Sequence, residues 1–431
     1  MIKNKVSKLN KKIIFEILIL ILISFLLRLL WLFYSKPIPV SDFLGYKLTA
    51  ENILSNHIIG IDKEPSVYRL PLYPIFLSFF LLFSENNFFL SLINVILVSL
   101  SAGLVYILSY KIYDNRKIAF IGGLLYLINP TFIFFSSVLA SENLFVFFLL
   151  LSIIFLVDFI KTNNYLFFYL SAILLGLSSL TRGEGIFYFP IFIIFILLFT
   201  KCNLKEKFLK SILFIVIFLL TLLPWLIRNK IIFNEFGLSS TGGINFYFAH
   251  NSDTYGYVPL ENTLLKGLSI HTFEISKIGY KDAFNCIKRE GFNKLLKDSI
   301  RGTYLLWIPD PYSINYSLVW SIMSHSIPIN NLSKIFISIL GKIAYWFYVF
   351  IFLFFIASLL IIDLKKDFKR NFLFILLILS NWFCNAVVFW AKARYRFFAE
   401  VIFCILAGYS IYISYNFIIK VLKNKSLSEV K

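Results

Sequence analysis

The stretch "PIPVSDFLGYKLTAENIL", Pro37 to Leu54, decides how this chain is read. It follows an apolar run from Ile13 to Tyr34 and sets a carboxylate, Asp42, just beyond the point where that run stops. An acid there is either a solubilising loop residue or part of a site. The rest of the chain chooses between them.

The run before it is a membrane span, because the composition permits little else. Of the 431 residues, 59% are hydrophobic and 15% are charged, whereas a soluble chain carries roughly 25% charge. Many apolar runs approach or exceed the roughly 20 residues that cross a bilayer. The expected fold is an all-α polytopic membrane protein, a helix bundle of about ten spans. The 51 Phe are then lipid-facing or packing residues. The net charge of +19 does not point to nucleic acid, because the lysines cluster between apolar runs as cytoplasmic flanks of membrane helices do. Four scattered Cys give neither a disulfide framework nor a CxxC metal site. His57, His250, His271 and His325 show no helical metal-ligand spacing. The first apolar run is too long for a cleaved signal peptide, and no small-residue cleavage site follows it.

Taking the basic clusters as cytoplasmic orders the spans. The N-terminus is inside, Ile13–Tyr34 exits, and the cluster Tyr110–Lys117 lies inside again. Only one crossing fits between them. Phe88–Leu108 takes it, and the two-proline run Pro71–Phe83 becomes an interfacial or re-entrant helix in the first outer loop. Further spans are expected at 118–140, 143–160, 165–181, 186–200, 211–227, 335–362, 371–390 and 397–419. "DLKKDFKR", Asp363 to Arg370, falls inside, as does the C-terminus. The organisation is a transmembrane module at 1–228 with a first outer loop at 35–87, a large extracytoplasmic loop at 229–333, and C-terminal spans at 334–431. In this order Asp42, Arg69, Glu142, Arg182, Arg228, Arg394 and Arg396 all collect on the outer side. Short outer loops seldom carry arginine, so its presence asks for a function.

Guanidinium groups match phosphate oxygens in bidentate fashion. Arg69, Arg182, Arg228, Arg394 and Arg396 are therefore candidates to hold the phosphate of a lipid-linked donor. A carboxylate beside them could take the proton of an attacking hydroxyl. Asp42 is the candidate base and Glu142 a second catalytic acid. Tyr46, Tyr73 and Tyr395 are expected near substrate. Each feature also has a plainer reading. Ser41 or Asp42 would cap the helix that follows, Glu142 would cap a turn, and Arg182 would pair with Glu184. Arg394 and Arg396 would anchor at the interface, and Arg28 would snorkel out of the first span, ahead of the alternative that it pairs with an acid. No Ser-His-Asp set or glycine-rich phosphate loop offers another chemistry, and "TGGINF", Thr241 to Phe246, is at most a turn near substrate. No cofactor or metal ligand set is evident; a divalent cation is left open.

At these residues the chain resembles a known family. "SDFLGYKLTAENIL" with "YRLPLYPIFLSFF" resembles the first extracytoplasmic loop of the GT-C membrane glycosyltransferases, in the branch of protein O-mannosyltransferases and lipid A aminoarabinose transferases. "SENLF", "GLSSLTRGEG", "PWLIRNKIIFNEFGLSSTGGINFYFAHN" and "ARYRFFAE" are similar to later segments of that family, in its order. The resemblance spans residues 10–260 and reaches the C-terminal third only through "ARYR". It implies transfer of a sugar from a polyprenyl-phosphate donor to a protein, lipid or glycan hydroxyl, outside the cytoplasm and with inversion. Asp42 matches the family's catalytic acid, Arg69 its donor-phosphate residue, and Arg228 and Arg394 later basic positions. One departure stands out: many members carry two adjacent acids in this loop, and here Phe43 follows Asp42. The rival readings are a transporter or flippase, expected to carry charges near mid-span, and a polymerase of lipid-linked glycans.

Overall fold

The computed structural model describes residues 11–251, 263, 265–319, 331–361 and 368–428. The N-terminal residues before Lys11, His325 and the Asp363–Asp367 part of the basic cluster lie outside the described residues.

Helices form nearly everything. The first span is α1 (Lys11–Ser35). The first loop folds into α2 (Asp42–Asn56), a small antiparallel hairpin of β1 (Gly60–Ile61) and β2 (Glu64–Pro65), and α3 (Leu72–Leu81). At ten residues, α3 rises about 15 Å and cannot cross the bilayer; it packs against α2 instead. The bundle continues with α4 (Asn87–Tyr113), α5 (Arg116–Ile128), α6 (Pro130–Phe135), α7 (Ser141–Thr162), α8 (Tyr165–Thr181), α9 (Gly185–Phe199) and α10 (Leu204–Phe233). Among the described residues of the polar stretch, three helices of ten residues or more follow, α11 (Thr241–His250), α12 (Glu274–Glu290) and α13 (Phe292–Trp307), and after them a helical turn at Tyr312–Ile314 and a π turn at Asn315–Val319. The chain ends in α14 (Asn331–Ile361), α15 (Phe368–Trp382) with a π turn at Phe383–Val388, a 3-10 turn at Ala393–Arg396, and α16 (Phe397–Ser428). In the core, α7 lies between α4 and α8, while α16 packs on α5 and α14.

Among the described residues, seven helices are long and apolar enough to cross a membrane, and three apolar helices, α3, α8 and α9, are shorter. The expected count of ten spans does not emerge as ten long helices. The run at 118–140 is broken because Pro130 has no N–H to give and starts a new helix, α6. The break also corrects the reading of Arg28. That side chain is fully buried and does not snorkel. It donates to the carbonyls of Leu127 (3.2 Å) and Tyr126 (3.4 Å) and to Ser24 Oγ (2.6 Å). Thr131 N–H is taken by the Asn129 side chain, so Leu127 O has lost its helical donor, and Arg28 replaces it. The described residues of the stretch 229–333 are largely helical, and α10 runs on to Phe233, past the boundary expected at Arg228.

Lys111, Arg116 and Lys161, from the basic segments after α4 and α7, sit together at one end of the bundle. Lys111 pairs with Asp158 at 2.6 Å, Lys161 donates to Lys111 O, and Arg116 pairs with Glu16. The N-terminus of α7, the C-terminus of α8 and the 3-10 turn before α16 meet at the other end.

Candidate active site

Four chain segments that lie far apart in sequence converge there. Asp42 is the first residue of α2, where the helix dipole favours an acid. Ser41 before it makes no side-chain cap bond and holds φ at 52°, a costly conformation for a residue with a Cβ. The Asp42 carboxylate stays 43% exposed and faces Arg69 Nη2 at 3.8 Å and Arg394 Nη1 at 3.5 Å. Arg69 reaches it across the face of α2, its guanidinium 5.5 Å from the Tyr46 ring and 4.9 Å from Tyr68. Glycine at position 45 makes that possible, since a Cβ there would run into the Arg69 guanidinium.

Beneath this layer lies Glu142, at the N-terminus of α7. Its side chain is 1% exposed. Oε1 accepts from Arg182 Nη1 at 2.8 Å and from Arg394 Nε, and Oε2 accepts from Ser141 Oγ at 3.4 Å. Arg182 also pairs with Glu184 at 2.8 Å, whose other oxygen accepts from Asn385 at 3.4 Å. Burial opposes the Arg182 charge, but Glu142 and Glu184 outweigh it and hold Arg182 above its ordinary value. Tyr46 Oη lies 3.0 Å from Ser141 Oγ, and burial raises the Tyr46 phenol so that it stays neutral. The order Arg69, Asp42, Arg394, Glu142, Arg182, Glu184 is one chain of alternating charge. In it every carboxylate touches a guanidinium, which is how charges are tolerated out of water.

A cavity of about 530 Å³ opens over this chain. Asp42, Arg69, Arg182, Glu184 and Arg394 line it, with Tyr46 and Tyr395. Thr241, Gly242 and Asn245 add the N-terminal part of α11, so "TGGINF" is a helix start on the cavity wall. A second cavity of about 460 Å³ shares Arg394 and Trp390 with the first and is lined by Asp310, Tyr316 and Lys392. Burial and the neighbouring Arg394 pull Lys392 below its usual pKa.

Not all the expected residues meet here. Arg228 donates to the carbonyls of Ile59 (2.9 Å) and Ser66 (3.2 Å) and stacks on Trp225; it ties down the first loop. Arg396 is buried, bonded to Glu400 at 2.8 Å and to the carbonyls of Leu306 and Ile308. Tyr73 is buried against Tyr46, its hydroxyl on Asn94. Glu142 touches the arginines and not the cavity. Asn385, Trp390 and Tyr68 line the cavity without having been singled out in the sequence. Asn385 left a signal there, as one of two amides, with Asn381, late in an otherwise apolar run.

The description Dolichyl-phosphate-mannose-protein mannosyltransferase belongs to the family model that matches residues 65–227. The match takes in Arg69, Glu142 and Arg182 and stops short of Asp42 and Arg394. No curated protein matches the sequence. Among solved structures, the oligosaccharyltransferase AglB from Archaeoglobus fulgidus, in complex with an inhibitory peptide and a dolichol-phosphate, has a TM-score of 0.54 at 13% identity, covering 96% of this chain and 52% of that one. The oligosaccharyltransferase from the same organism in complex with Zn and sulfate gives 0.52 at 13% identity, covering 94% and 49%. ArnT from Cupriavidus metallidurans bound to undecaprenyl phosphate gives 0.45 at 13%, covering 91% and 77%. The chain spans about half the length of the oligosaccharyltransferases it matches, and at these identities the likeness is one of fold. In sequence over residues 65–227 and in fold over nearly its whole length, this chain is similar to the GT-C superfamily of membrane glycosyltransferases.

Proposed function

We propose that this protein is a membrane glycosyltransferase that moves a sugar from a polyprenyl-phosphate donor to an acceptor hydroxyl on the extracytoplasmic side, with inversion and with Asp42 as general base. The observation that carries this reading is the setting of Asp42. Its half-exposed carboxylate forms part of the cavity wall between Arg69 and Arg394, at 3.8 and 3.5 Å. These separations are longer than a charge-assisted hydrogen bond of about 2.7–2.9 Å, so both arginines remain able to turn to a phosphate.

In the reaction, the acceptor hydroxyl gives its proton to Asp42 as its oxygen bonds to the anomeric carbon. The bond from that carbon to the phosphate oxygen breaks on the opposite side. The polyprenyl phosphate leaves with the electron pair, and Arg69 and Arg394 stabilise its growing charge. Glu142 positions Arg182 and Arg394. Among the described residues no three His, Cys, Asp or Glu side chains gather as a metal site. The basic residues Lys111, Arg116 and Lys161, at the far end of the bundle from the cavity, support an outward-facing site with both termini in the cytoplasm.

The test uses the purified protein in nanodiscs with a panel of polyprenyl-phosphate sugars, and glycan mass spectrometry of a deletion strain to find the acceptor. D42N is expected to fold and bind donor normally while transfer falls by about 10²–10⁴-fold. Near-normal transfer by D42N would end the assignment of Asp42 as base. No transfer by the wild-type protein from any lipid-linked sugar, with unchanged envelope glycans on deletion, would end the reading as a whole.

A further inference from the structure

The polar stretch 229–333 holds a helix whose surface does not suit an aqueous loop. Along α13 every fourth residue is large, apolar and exposed: Phe292 (76%), Leu296 (50%), Ile300 (63%) and Tyr304 (63%). Spacing by four puts them on one ridge. The opposite face, Lys294, Asp298, Gly302 and Leu306, is buried.

The depth of α13 follows from what that buried face touches. Asp298 meets His250 Nδ1 at 3.1 Å, and His250 Nε2 lies 3.2 Å from Val388 O. Farther along, Gly302 crosses so close to Ala386 that a Cβ would lie 3.0 Å from the Ala386 Cα. Next, Trp382 Nε1 donates to Thr303 Oγ1 at 2.8 Å. Moving up α13 from 298 to 303 therefore moves down the neighbouring segment from 388 to 382. The two run antiparallel, side by side, and that neighbour, Asn371–Val388, is long and apolar enough to cross a membrane. At the end of α13, the Trp307 ring packs on Phe403 (5.6 Å) and Phe352 (6.3 Å), both within other candidate spans.

The C-terminal half of α13 thus lies at the level of membrane spans, with its apolar ridge turned away from them. We propose that α13 is a half-inserted amphipathic helix whose ridge lies against the acyl chains, shallow at Phe292 and deepest at Tyr304. Lys297 and Arg301 stand exposed beside the ridge and reach up to lipid phosphates, as cations at a membrane interface do. Leu305 and Ile308 line the second cavity with Lys392 and Arg394, so α13 separates that cavity from the lipid. This inference does not depend on the proposed reaction.

Nitroxide labels on the full chain in anionic-lipid nanodiscs test it, in a C202S background, with labels at I300C and Y304C. L353C in α14 serves as the lipid-facing reference and K281C on α12 as the aqueous one. The expected result is that labels at 300 and 304 collide more with oxygen than with a water-soluble nickel chelate, as at 353 and opposite to 281. Benzoylphenylalanine at position 300 in native membranes should give lipid adducts on irradiation. Nickel accessibility at 300 and 304 equal to that at 281 overturns the proposal. So does shielding from both quenchers with protein adducts in place of lipid, which would mean that a second copy or another protein covers the ridge.

Discussion

Replacing Glu142 by Gln keeps the volume and one accepting oxygen but removes the charge that two arginines share. The cost can be bounded from the geometry. Removing one partner of a buried ion pair costs about 3–5 kcal/mol, because the other charge is left uncompensated. Here both stranded cations keep a second acid: Arg182 has Glu184 at 2.8 Å and Arg394 has Asp42 at 3.5 Å. The loss should therefore fall at the lower end, about 3 kcal/mol, or roughly a hundredfold in the folded-to-unfolded ratio. The change also has a direction in space. Without Glu142, Arg394 is drawn toward Asp42, and the proposed base becomes engaged where it was partly free. E142Q should then lose transfer more than donor binding. Equilibrium unfolding in mixed micelles, together with steady-state kinetics on the same sample, reads both effects. If E142Q matches wild type in stability and kcat, the argument that Glu142 holds the two arginines is wrong.

Three further changes test other parts of the structure. G45A puts a methyl group into the Arg69 guanidinium; it should cost about 1–3 kcal/mol, seen as lower stability or as about ten- to hundredfold weaker polyprenyl phosphate binding in a titration. R28M leaves the Leu127 carbonyl without its donor and should destabilise by about 1–3 kcal/mol in the same unfolding assay, with kcat unchanged. R228K gives up the two-carbonyl grip on Ile59 and Ser66; amide exchange across residues 59–67 should quicken by about tenfold or more, and the KM for donor should rise ahead of any fall in kcat.

How legible all this was in the sequence depended on which physics each feature obeys. Spans were readable because a hydrocarbon layer demands long apolar runs. The short α3 was readable from its prolines and length. Clustering of the polar ends was also readable, because charge bias orders the helices and so brings Asp42, Arg69, Glu142, Arg182 and Arg394 to one end. Contacts within the cluster were not. Nothing in "ARYR" tells Arg394 from Arg396, two residues apart; one lines the cavity and the other is locked onto Glu400 and the 306–308 carbonyls. The 3-10 turn decides that difference, and a turn that short has no sequence period. Arg28 was misjudged because a side chain near the end of a span invites snorkelling, while the orphan carbonyls that attract it lie a hundred residues away, at the Pro130 break. Helix α13 escaped notice because its charges mask its ridge in any average over a window.

Phe43 shows how one carboxylate suffices on the first-loop side of the cavity wall. Its ring is buried and lies 5.1 Å from the Arg394 guanidinium, with Tyr316 on the same cation at 5.1 Å. An aromatic face steadies a cation but cannot neutralise it. Arg394 therefore still needs an acid, and Glu142 provides it from below, out of reach of the cavity. Were the acid at position 43 instead, it would stand beside Asp42, and the two like charges would disfavour each other's ionised form. Placing the counter-charge on α7 and the aromatic ring on α2 separates two tasks. Glu142 holds Arg394 in place, and Asp42 meets it only at 3.5 Å, with nearly half its side chain exposed to the cavity. On this argument the substitution of Phe for a second acid leaves the proposed base freer to accept a proton, provided that Glu142 stays ionised between its two arginines.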